Sequence, residues 1–210
     1  MSRGTALLVA LLYAAAFGAV LWHYHFDARN AAHRQRPRAT ASLHAFTWIY
    51  DYLQPASAVA LLDALVWPGW LPRLAVPIPP VAASGVALSA AGLWLFVAAK
   101  RRLGLDYSPC DDARLPRELV LHGVYAVVRH PLYAANLLLL GGAGLATGSA
   151  VLAANWVILL GCYLASIRLE ERSLEGRFPE YRAYRARTGA LLPSPGSVWR
   201  ALRSPGVVAR

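Results

Sequence analysis

Residues 132–167 have the sequence LYAANLLLLGGAGLATGSAVLAANWVILLGCYLASI, from which the architecture of the chain can be inferred. This stretch holds two apolar runs, 132–146 and 150–167, which contain no acidic or basic residue and are separated only by residues 147–149. A connection of this length turns the chain directly back on itself, so we predict a tight antiparallel helical hairpin. A membrane-spanning helix needs roughly 20 apolar residues, so each arm is short and the hairpin is expected to barely cross a bilayer.

The composition of the whole chain indicates that lipid is its solvent. Of its 210 residues, 57% are hydrophobic and 15% are charged, and the mean hydropathy is +0.40. This mixture is too apolar for an ordinary soluble domain. The formal net charge of +10 comes mainly from short segments between apolar runs, which is typical of a membrane protein and argues against a nucleic-acid partner. We therefore expect an all-α, polytopic membrane helical bundle whose partner is the bilayer, with the oligomeric state left open.

Three more apolar runs precede the hairpin and bring the expected number of transmembrane helices to about five. They cover residues 5–22, 45–67 and 81–99, and a proline-rich connection at 68–80 separates the last two. Proline removes a backbone donor and clashes with the preceding turn, so this connection is not expected to be helical throughout. The first run has a rival interpretation as a cleaved signal peptide, but the poor junction at Trp22 favours a retained helix.

The spans divide the chain into three parts: residues 1–100 with three spans, residues 101–195 with the hairpin, and a basic tail at 196–210. If the amino terminus lies outside the cell, nineteen of the 21 basic residues face the cytoplasm, and only Arg3 and Arg73 do not. The positive-inside rule favours this topology. We therefore expect a bacterial-type inner membrane protein with its amino terminus outside and its carboxy terminus in the cytoplasm.

Two polar motifs flank the hairpin on its cytoplasmic side. The segment GVYAVVRHPLY, residues 123–133, enters the first arm, and RLEERSL, residues 168–174, leaves the second. Each has a purely structural interpretation, because Pro131 suits a first helical turn, Tyr133 suits an interfacial anchor, and the second motif suits a solvated helix with intrahelical charge pairs. The hairpin nevertheless brings the two charged ends together at the membrane surface. The residues expected to meet there are Arg129, His130, Arg168, Glu170 and Glu171.

The order of these motifs resembles the isoprenylcysteine carboxyl methyltransferase family, which is related to the membrane phospholipid methyltransferases. The resemblance covers about residues 103–193 and combines Gly-x-Tyr, Arg-His-Pro-x-Tyr, a short apolar hairpin and Glu-Glu-x-x-Leu, followed by a phenylalanine and spaced tyrosines. Two positions depart from the family pattern. Ala135 replaces a common glycine, and the run from Phe178 to Tyr181 replaces a Phe-Gly element.

The resemblance implies a methyltransferase that takes its methyl group from S-adenosylmethionine at a cytoplasmic site and passes it to an apolar or amphipathic acceptor from the bilayer. It implies no metal ligand. The implied cofactor-binding residues are His122, Gly123, Tyr125, His130, Pro131, Tyr133, Glu170 and Glu171. The implied catalytic residues are Arg129, His130 and Arg168.

The residue types suit this chemistry, although their individual roles stay open at this point. A sulfonium methyl group is already activated, so an enzyme mainly has to align the acceptor and exclude water. Glu170 or Glu171 would hold the ribose hydroxyls or the ammonium group of the cofactor. Arg129 or Arg168 would bind a carboxylate on the cofactor or the acceptor, and His130 would orient either partner.

Other features of the sequence favour structural roles. The glycine-rich run at 141–144 lacks the preceding strand of a dinucleotide-binding motif and fits close helix packing instead. The two cysteines, Cys110 and Cys162, provide no disulfide framework. Asp51 and Asp63 lie in or near the second span, where an intramembrane functional acid and an interfacial residue are equally compatible with the sequence.

A membrane scaffold or small-ligand binder that retains the hairpin without catalysis is the alternative function. A scaffold has no reason to bring Arg129, His130, Glu170 and Glu171 together, so their joint presence favours the enzyme. The first half of the chain does not distinguish a prenylated cysteine, a phospholipid amine, a small thiol or an isoprenoid acid as the acceptor.

Overall fold

A computed structural model of the chain describes residues 47–66, 70–104 and 116–203, together with seven helical positions between residues 4 and 18. Within these ranges the secondary structure is helical and contains no strand, which confirms the all-α prediction. Most of the predicted first span lies outside the described residues. The same is true of Cys110 and of the side chain of Asp51.

Six α-helices follow one another along the described chain, and a short 3₁₀ helix, Gly123–Ala126, precedes the hairpin. The predicted second span lies in helix α1, and the third is extended at both ends in α2. The hairpin arms are α3 and α4, and two short helices, α5 and α6, end the described chain. The bounds are Thr47–Val66 for α1, Pro79–Leu103 for α2, Pro131–Thr147 for α3, Ala150–Arg177 for α4, Tyr181–Arg187 for α5 and Pro195–Arg203 for α6.

Helix α4 is longer than the predicted fifth span, which covers residues 150–167. The helix continues to Arg177, so the Glu-Glu motif lies on the same continuous helix as the apolar run. The reason is that leucine, glutamate and arginine are good helix formers, and no proline interrupts the chain before Pro179. The backbone therefore carries the carboxylates out of the apolar stretch on a rigid support.

Two of the described helices, α2 and α4, are long and apolar enough to cross a membrane. Only 28% and 39% of their most apolar stretches are buried within the protein. Large apolar side chains such as Trp94 and Val157, which are 66% and 63% exposed, therefore face outward. A core helix of a soluble protein would hide such residues, so this exposure favours lipid as their surroundings. The number of five spans stays a prediction.

The described chain divides into two compact units, one made of residues 48–94 and 135–162 and the other of residues 95–134 and 163–203. In the first unit, small residues let α2 and α3 approach closely. A Cβ atom added to Gly142 would lie 2.5 Å from the carbonyl oxygen of Gly85 and 2.6 Å from the backbone nitrogen of Ser89. The Ser89 hydroxyl also donates a hydrogen bond to the Leu139 carbonyl at 3.1 Å. This confirms helix packing as the role of the glycine-rich run.

The predicted hairpin is confirmed, and its turn is fixed by the proline-rich connection. Gly148 has a φ of 69°, and a Cβ atom there would collide with the Ala75 carbonyl oxygen. The backbone N–H of Leu74 donates to the Gly148 carbonyl at 2.9 Å, and the N–H of Ala150 donates to the Pro72 carbonyl at 3.0 Å. The turn therefore requires glycine both for its backbone conformation and for this close approach.

Asp63 has a structural role in this unit. Its carboxylate accepts hydrogen bonds from the backbone N–H groups of Trp70 at 2.9 Å and Leu71 at 3.1 Å, and it lies 3.9 Å from the Arg73 guanidinium. It thereby holds the start of the connection to the end of α1. These contacts give the Asp63 carboxylate a structural function, and its depth relative to the membrane stays a prediction.

Replacing Gly142 by alanine should lower the free energy of unfolding by about 1–3 kcal/mol, because two backbones would have to separate. Gly161 is the matched control, since it lies in the interior of α4 with no atom within 4 Å of an added Cβ. Gly161→Ala gains helix propensity without overpacking and should be neutral or stabilising. Thermal unfolding in detergent measures both variants, and equal effects would contradict the packing role of Gly142.

Candidate functional site

The site lies within the second unit and starts from the turn that precedes α3. Gly123 opens the 3₁₀ helix with a φ of 64°, and an added Cβ atom would lie 2.7 Å from Nε of Arg102. Glycine is therefore favoured by its backbone conformation, whereas the flexible Arg102 side chain could move to admit a Cβ atom. Tyr125 is buried, and Pro131 occupies the first position of α3, where its missing N–H costs nothing.

The carboxy-terminal segment holds this turn through its backbone. The N–H of Arg129 donates to the Gly189 carbonyl at 2.9 Å, and the N–H of His130 donates to the Ala190 carbonyl at 3.0 Å. Further hydrogen bonds come from side chains: Tyr184 Oη donates to the Tyr125 carbonyl at 2.6 Å, and Ser197 Oγ to the Val127 carbonyl at 2.9 Å. Burial raises the pKa of the Tyr184 phenol, which keeps it a donor.

Glu171 is the buried carboxylate at the centre of the site, with only 4% of its surface exposed. Its Oε1 accepts a hydrogen bond from Nε of Arg129 at 2.8 Å and lies 3.2 Å from Nε2 of His130. Its Oε2 lies 3.1 Å from Nε of Arg185. Both oxygens are therefore engaged by groups of the protein itself, as a buried charge requires.

Glu170, one residue earlier on α4, has a more open environment. Its Oε2 accepts a hydrogen bond from the Tyr133 hydroxyl at 3.1 Å and lies 3.5 Å from Nδ1 of His130. Its side chain is 33% exposed, and its second oxygen makes no hydrogen bond within the described part of the chain. Glu170 thus keeps one oxygen with which it can bind a ligand.

His130 lies between the two carboxylates, with Nδ1 toward Glu170 and Nε2 toward Glu171. Burial by itself lowers the pKa of His130, but hydrogen bonds and charge interactions with Glu170 and Glu171 outweigh burial and raise the pKa above 6.5. A protonated imidazole has two N–H donors and satisfies both carboxylates at once.

An aromatic stack supports Tyr133 and His130 from the side. The rings of His130 and Tyr133 are nearly parallel with centroids 5.5 Å apart, and the Tyr133 ring stacks on that of Tyr163 at 4.3 Å. Tyr163 is 1% exposed and lies within the apolar run of α4. Tyr163 was not among the predicted site residues, because a tyrosine in an apolar run is usually part of the core. Its spacing of seven residues from Glu170, two helical turns, places the two on the same face of α4.

The structure brings together most, but not all, of the residues expected at the site. Arg129, His130, Tyr133, Glu170 and Glu171 form one cluster. Arg168 is exposed and makes no hydrogen bond or ion pair within the described ranges. His122 is exposed and lies outside the cluster. Gly123, Tyr125 and Pro131 form the turn from which Arg129 and His130 reach the cluster.

Arg129 is held on every side and has little freedom left. Besides its contact with Glu171, its Nη1 donates to the carbonyl oxygens of Arg185 and Thr188. The contributions of Arg185, Thr188 and Ser197 were not predicted, since nothing in their local sequence pattern indicates that the chain returns to the turn before α3.

Comparison with known proteins connects this cluster to a family. The family model for phospholipid methyltransferases (PEMT) matches residues 81–180, starting before the block at 103–193 that the motifs define and ending earlier. Two curated relatives match shorter stretches. The cobalt-zinc-cadmium resistance protein CzcN of Cupriavidus metallidurans is 42% identical over 86 residues, which cover 39% of this chain and 38% of the relative. The nickel-cobalt-cadmium resistance protein NccN of Alcaligenes xylosoxydans xylosoxydans is 41% identical over 83 residues, which cover 39% of each.

The matched stretch thus spans less than two fifths of the length of either relative. The family match, by contrast, contains both halves of the cluster, from Arg129 and His130 to Glu170 and Glu171. Residues 81–180, just under half of the chain, therefore match the model of the phospholipid methyltransferase family, in agreement with the order of the motifs.

Proposed function

We propose that this protein is a membrane-embedded methyltransferase that uses S-adenosylmethionine and methylates an apolar or amphipathic acceptor. The observation that carries the proposal is the pair of adjacent carboxylates in the family-matched segment. Glu171 is buried and fully engaged by the protein, whereas Glu170 is partly exposed and keeps an oxygen without a hydrogen bond in the described chain. An ion-pair network that only stabilised the fold would not need the partly exposed carboxylate of Glu170.

The residues of the site fit such a cofactor. S-adenosylmethionine, when bound, supplies an activated methyl group on a sulfonium, and it carries hydroxyl and ammonium donors that suit a carboxylate. Glu170 offers that carboxylate, and Tyr133 and His130 hold its other oxygen in place. Glu171 and Arg129 fix the turn and act as positioning residues. Arg168, exposed about one helical turn before Glu171, offers a guanidinium to an anionic group of the cofactor or the acceptor.

The acceptor is proposed to approach from the lipid. The apolar surfaces of α2 and α4 are mostly exposed, so an acceptor dissolved in the bilayer would reach the chain without crossing water. Alignment of that acceptor with the methyl group and exclusion of water are the main contributions left to the protein.

A second candidate is a non-enzymatic membrane protein with a role in metal tolerance. It is favoured by the names of CzcN and NccN, both of which describe resistance to divalent metals. The two candidates differ in one measurable property, because only the methyltransferase has a reason to bind S-adenosylhomocysteine, the product form of the cofactor. Titration calorimetry of the detergent-solubilised protein with this ligand distinguishes them, and absence of binding by the wild type would reject the methyltransferase.

Substitution of the two carboxylates should separate binding from stability. Glu170→Gln removes the charge offered to the cofactor and should weaken S-adenosylhomocysteine binding roughly 10-fold or more, with little change in thermal stability. Glu171→Gln breaks a buried ion pair and should destabilise the fold by about 3 kcal/mol. Glu180→Gln is the control, since Glu180 is exposed and outside the cluster. The assignment fails if Glu170→Gln binds the ligand as tightly as the control.

The protonation of His130 should make stability depend on pH. Because the folded pKa is raised above 6.5, the contribution of His130 is fully present below that value and is lost as pH rises through the folded pKa. The difference in melting temperature between the wild type and His130→Gln should therefore be largest in acid and shrink above neutrality. The measurement is thermal unfolding in detergent from about pH 5.5 to about pH 9.

His122→Gln is the control for this pH series, because His122 is exposed and has no described contact with either carboxylate. A difference between wild type and His130→Gln that grows with pH would contradict the proposed placement of His130 between two carboxylates.

We also propose that the protein lies in a bacterial-type inner membrane with its amino terminus outside and its carboxy terminus in the cytoplasm. The support is the distribution of basic residues, nineteen of which share one side in this topology. Reporter fusions at Pro72 and Ser194 should then report opposite sides of the membrane. Signals from the same side would remove one span from the proposed topology.

A further inference from the structure

The segment that follows the family-matched residues makes an unexpectedly large share of the contacts at the site. The match ends at residue 180, yet residues 184–197 supply hydrogen bonds to the turn at 125–130. We propose that this segment completes the cofactor site and that Arg185 is a positioning residue that acts through Glu171. The inference rests on the proposed function, since it concerns the same site.

Arg185 connects two carboxylates of α4 from outside that helix. Its Nε lies 3.1 Å from Oε2 of Glu171, and its Nη1 donates to Oε1 of Glu175 at 2.7 Å. Glu171 and Glu175 are four residues apart and therefore share one face of the helix. The guanidinium spans that face and fixes the orientation of the Glu171 carboxylate.

The orientation of Glu171 determines what its other oxygen can do. With Oε2 held by Arg185, Oε1 is directed at Arg129 and His130. His130 in turn contacts Glu170, the carboxylate proposed to bind the cofactor. A continuous series of polar contacts therefore runs from Arg185 through Glu171 and His130 to Glu170.

The backbone of Arg185 acts on the same site a second time. Its carbonyl oxygen accepts a hydrogen bond from Nη1 of Arg129 at 3.1 Å. The side chain and the carbonyl of a single residue thus engage both members of the Arg129–Glu171 ion pair.

A purely structural role for the Arg185 side chain predicts a different outcome from a positioning role. The side chain is 50% exposed, and ion pairs with such exposure contribute little to stability because water screens them. Its partner Glu171 is buried, however, so a loss of orientation there is transmitted to His130 and Glu170. We therefore expect substitution of Arg185 to weaken ligand binding more than it lowers thermal stability.

The test compares Arg185→Gln, Arg185→Lys and Arg182→Gln in the full-length protein, by S-adenosylhomocysteine titration and by thermal unfolding. Arg182 is the matched control, an exposed arginine of the same helix without a hydrogen bond or ion pair among the described residues. We expect Arg185→Gln to weaken binding about 3- to 10-fold with a nearly unchanged melting temperature. Arg185→Lys should recover part of the loss, and Arg182→Gln should bind like the wild type.

Each alternative result has a defined meaning. Equal binding by Arg185→Gln and the wild type would overturn the positioning role and leave the proposed function intact. A loss of binding matched by a loss of stability, with no recovery in Arg185→Lys, would also overturn it and would assign Arg185 to the fold. Failure of the wild type itself to bind would overturn the proposed function and this inference with it.

Discussion

The burial of the Glu171 carboxylate is the constraint on which the rest of the site depends. A carboxylate that is 4% exposed must be compensated by hydrogen-bond donors and opposite charge, because its desolvation would otherwise strongly destabilise the fold. Arg129 and His130, which are themselves little exposed, provide most of this compensation, and the half-exposed Arg185 adds a contact from the surface. Their convergence fixes the turn before α3 and the segment after α4 with respect to the end of α4.

The continuity of α4 determines where this constraint acts. The helix runs from Ala150 to Arg177, so one rigid element carries an apolar stretch and, directly after it, two adjacent carboxylates. Neighbouring residues on a helix point about 100° apart, and the two side chains therefore meet different surroundings. Glu171 points into the protein, whereas Glu170 remains partly open. Two chemically identical residues acquire different capacities from this geometry alone.

Much of this arrangement was predictable from the sequence, and the exceptions have physical causes. The hairpin followed from two apolar runs joined by three residues, and the meeting of Arg129 and His130 with the Glu-Glu motif followed from the hairpin. The apolar character of α4 ends at residue 167, but the helix continues to Arg177 because charged residues continue a helix readily, which agrees with the interpretation of residues 168–174 as a solvated helix. The structure does not bring Arg168 into the cluster, since a sequence shows that charges share one end of a helix but not which of them is buried. Arg185 and Ser197 were missed because their contacts depend on the return of the chain over more than 50 residues.

The different partners of Glu170 and Glu171 also explain why the charge of Glu170 is only partly compensated within the protein. Arg129 and Arg185 both engage Glu171, so the buried charge is compensated without help from Glu170. Glu170 is left with a tyrosine hydroxyl and the far nitrogen of His130, a weaker set of partners than two guanidinium groups. A carboxylate that the protein satisfies only in part, supported by a neighbour that it satisfies fully, is preorganised to accept donors from a ligand. Because Glu171 is held rigidly, it keeps His130 in place, and the partly exposed carboxylate of Glu170 is thereby oriented for a ligand.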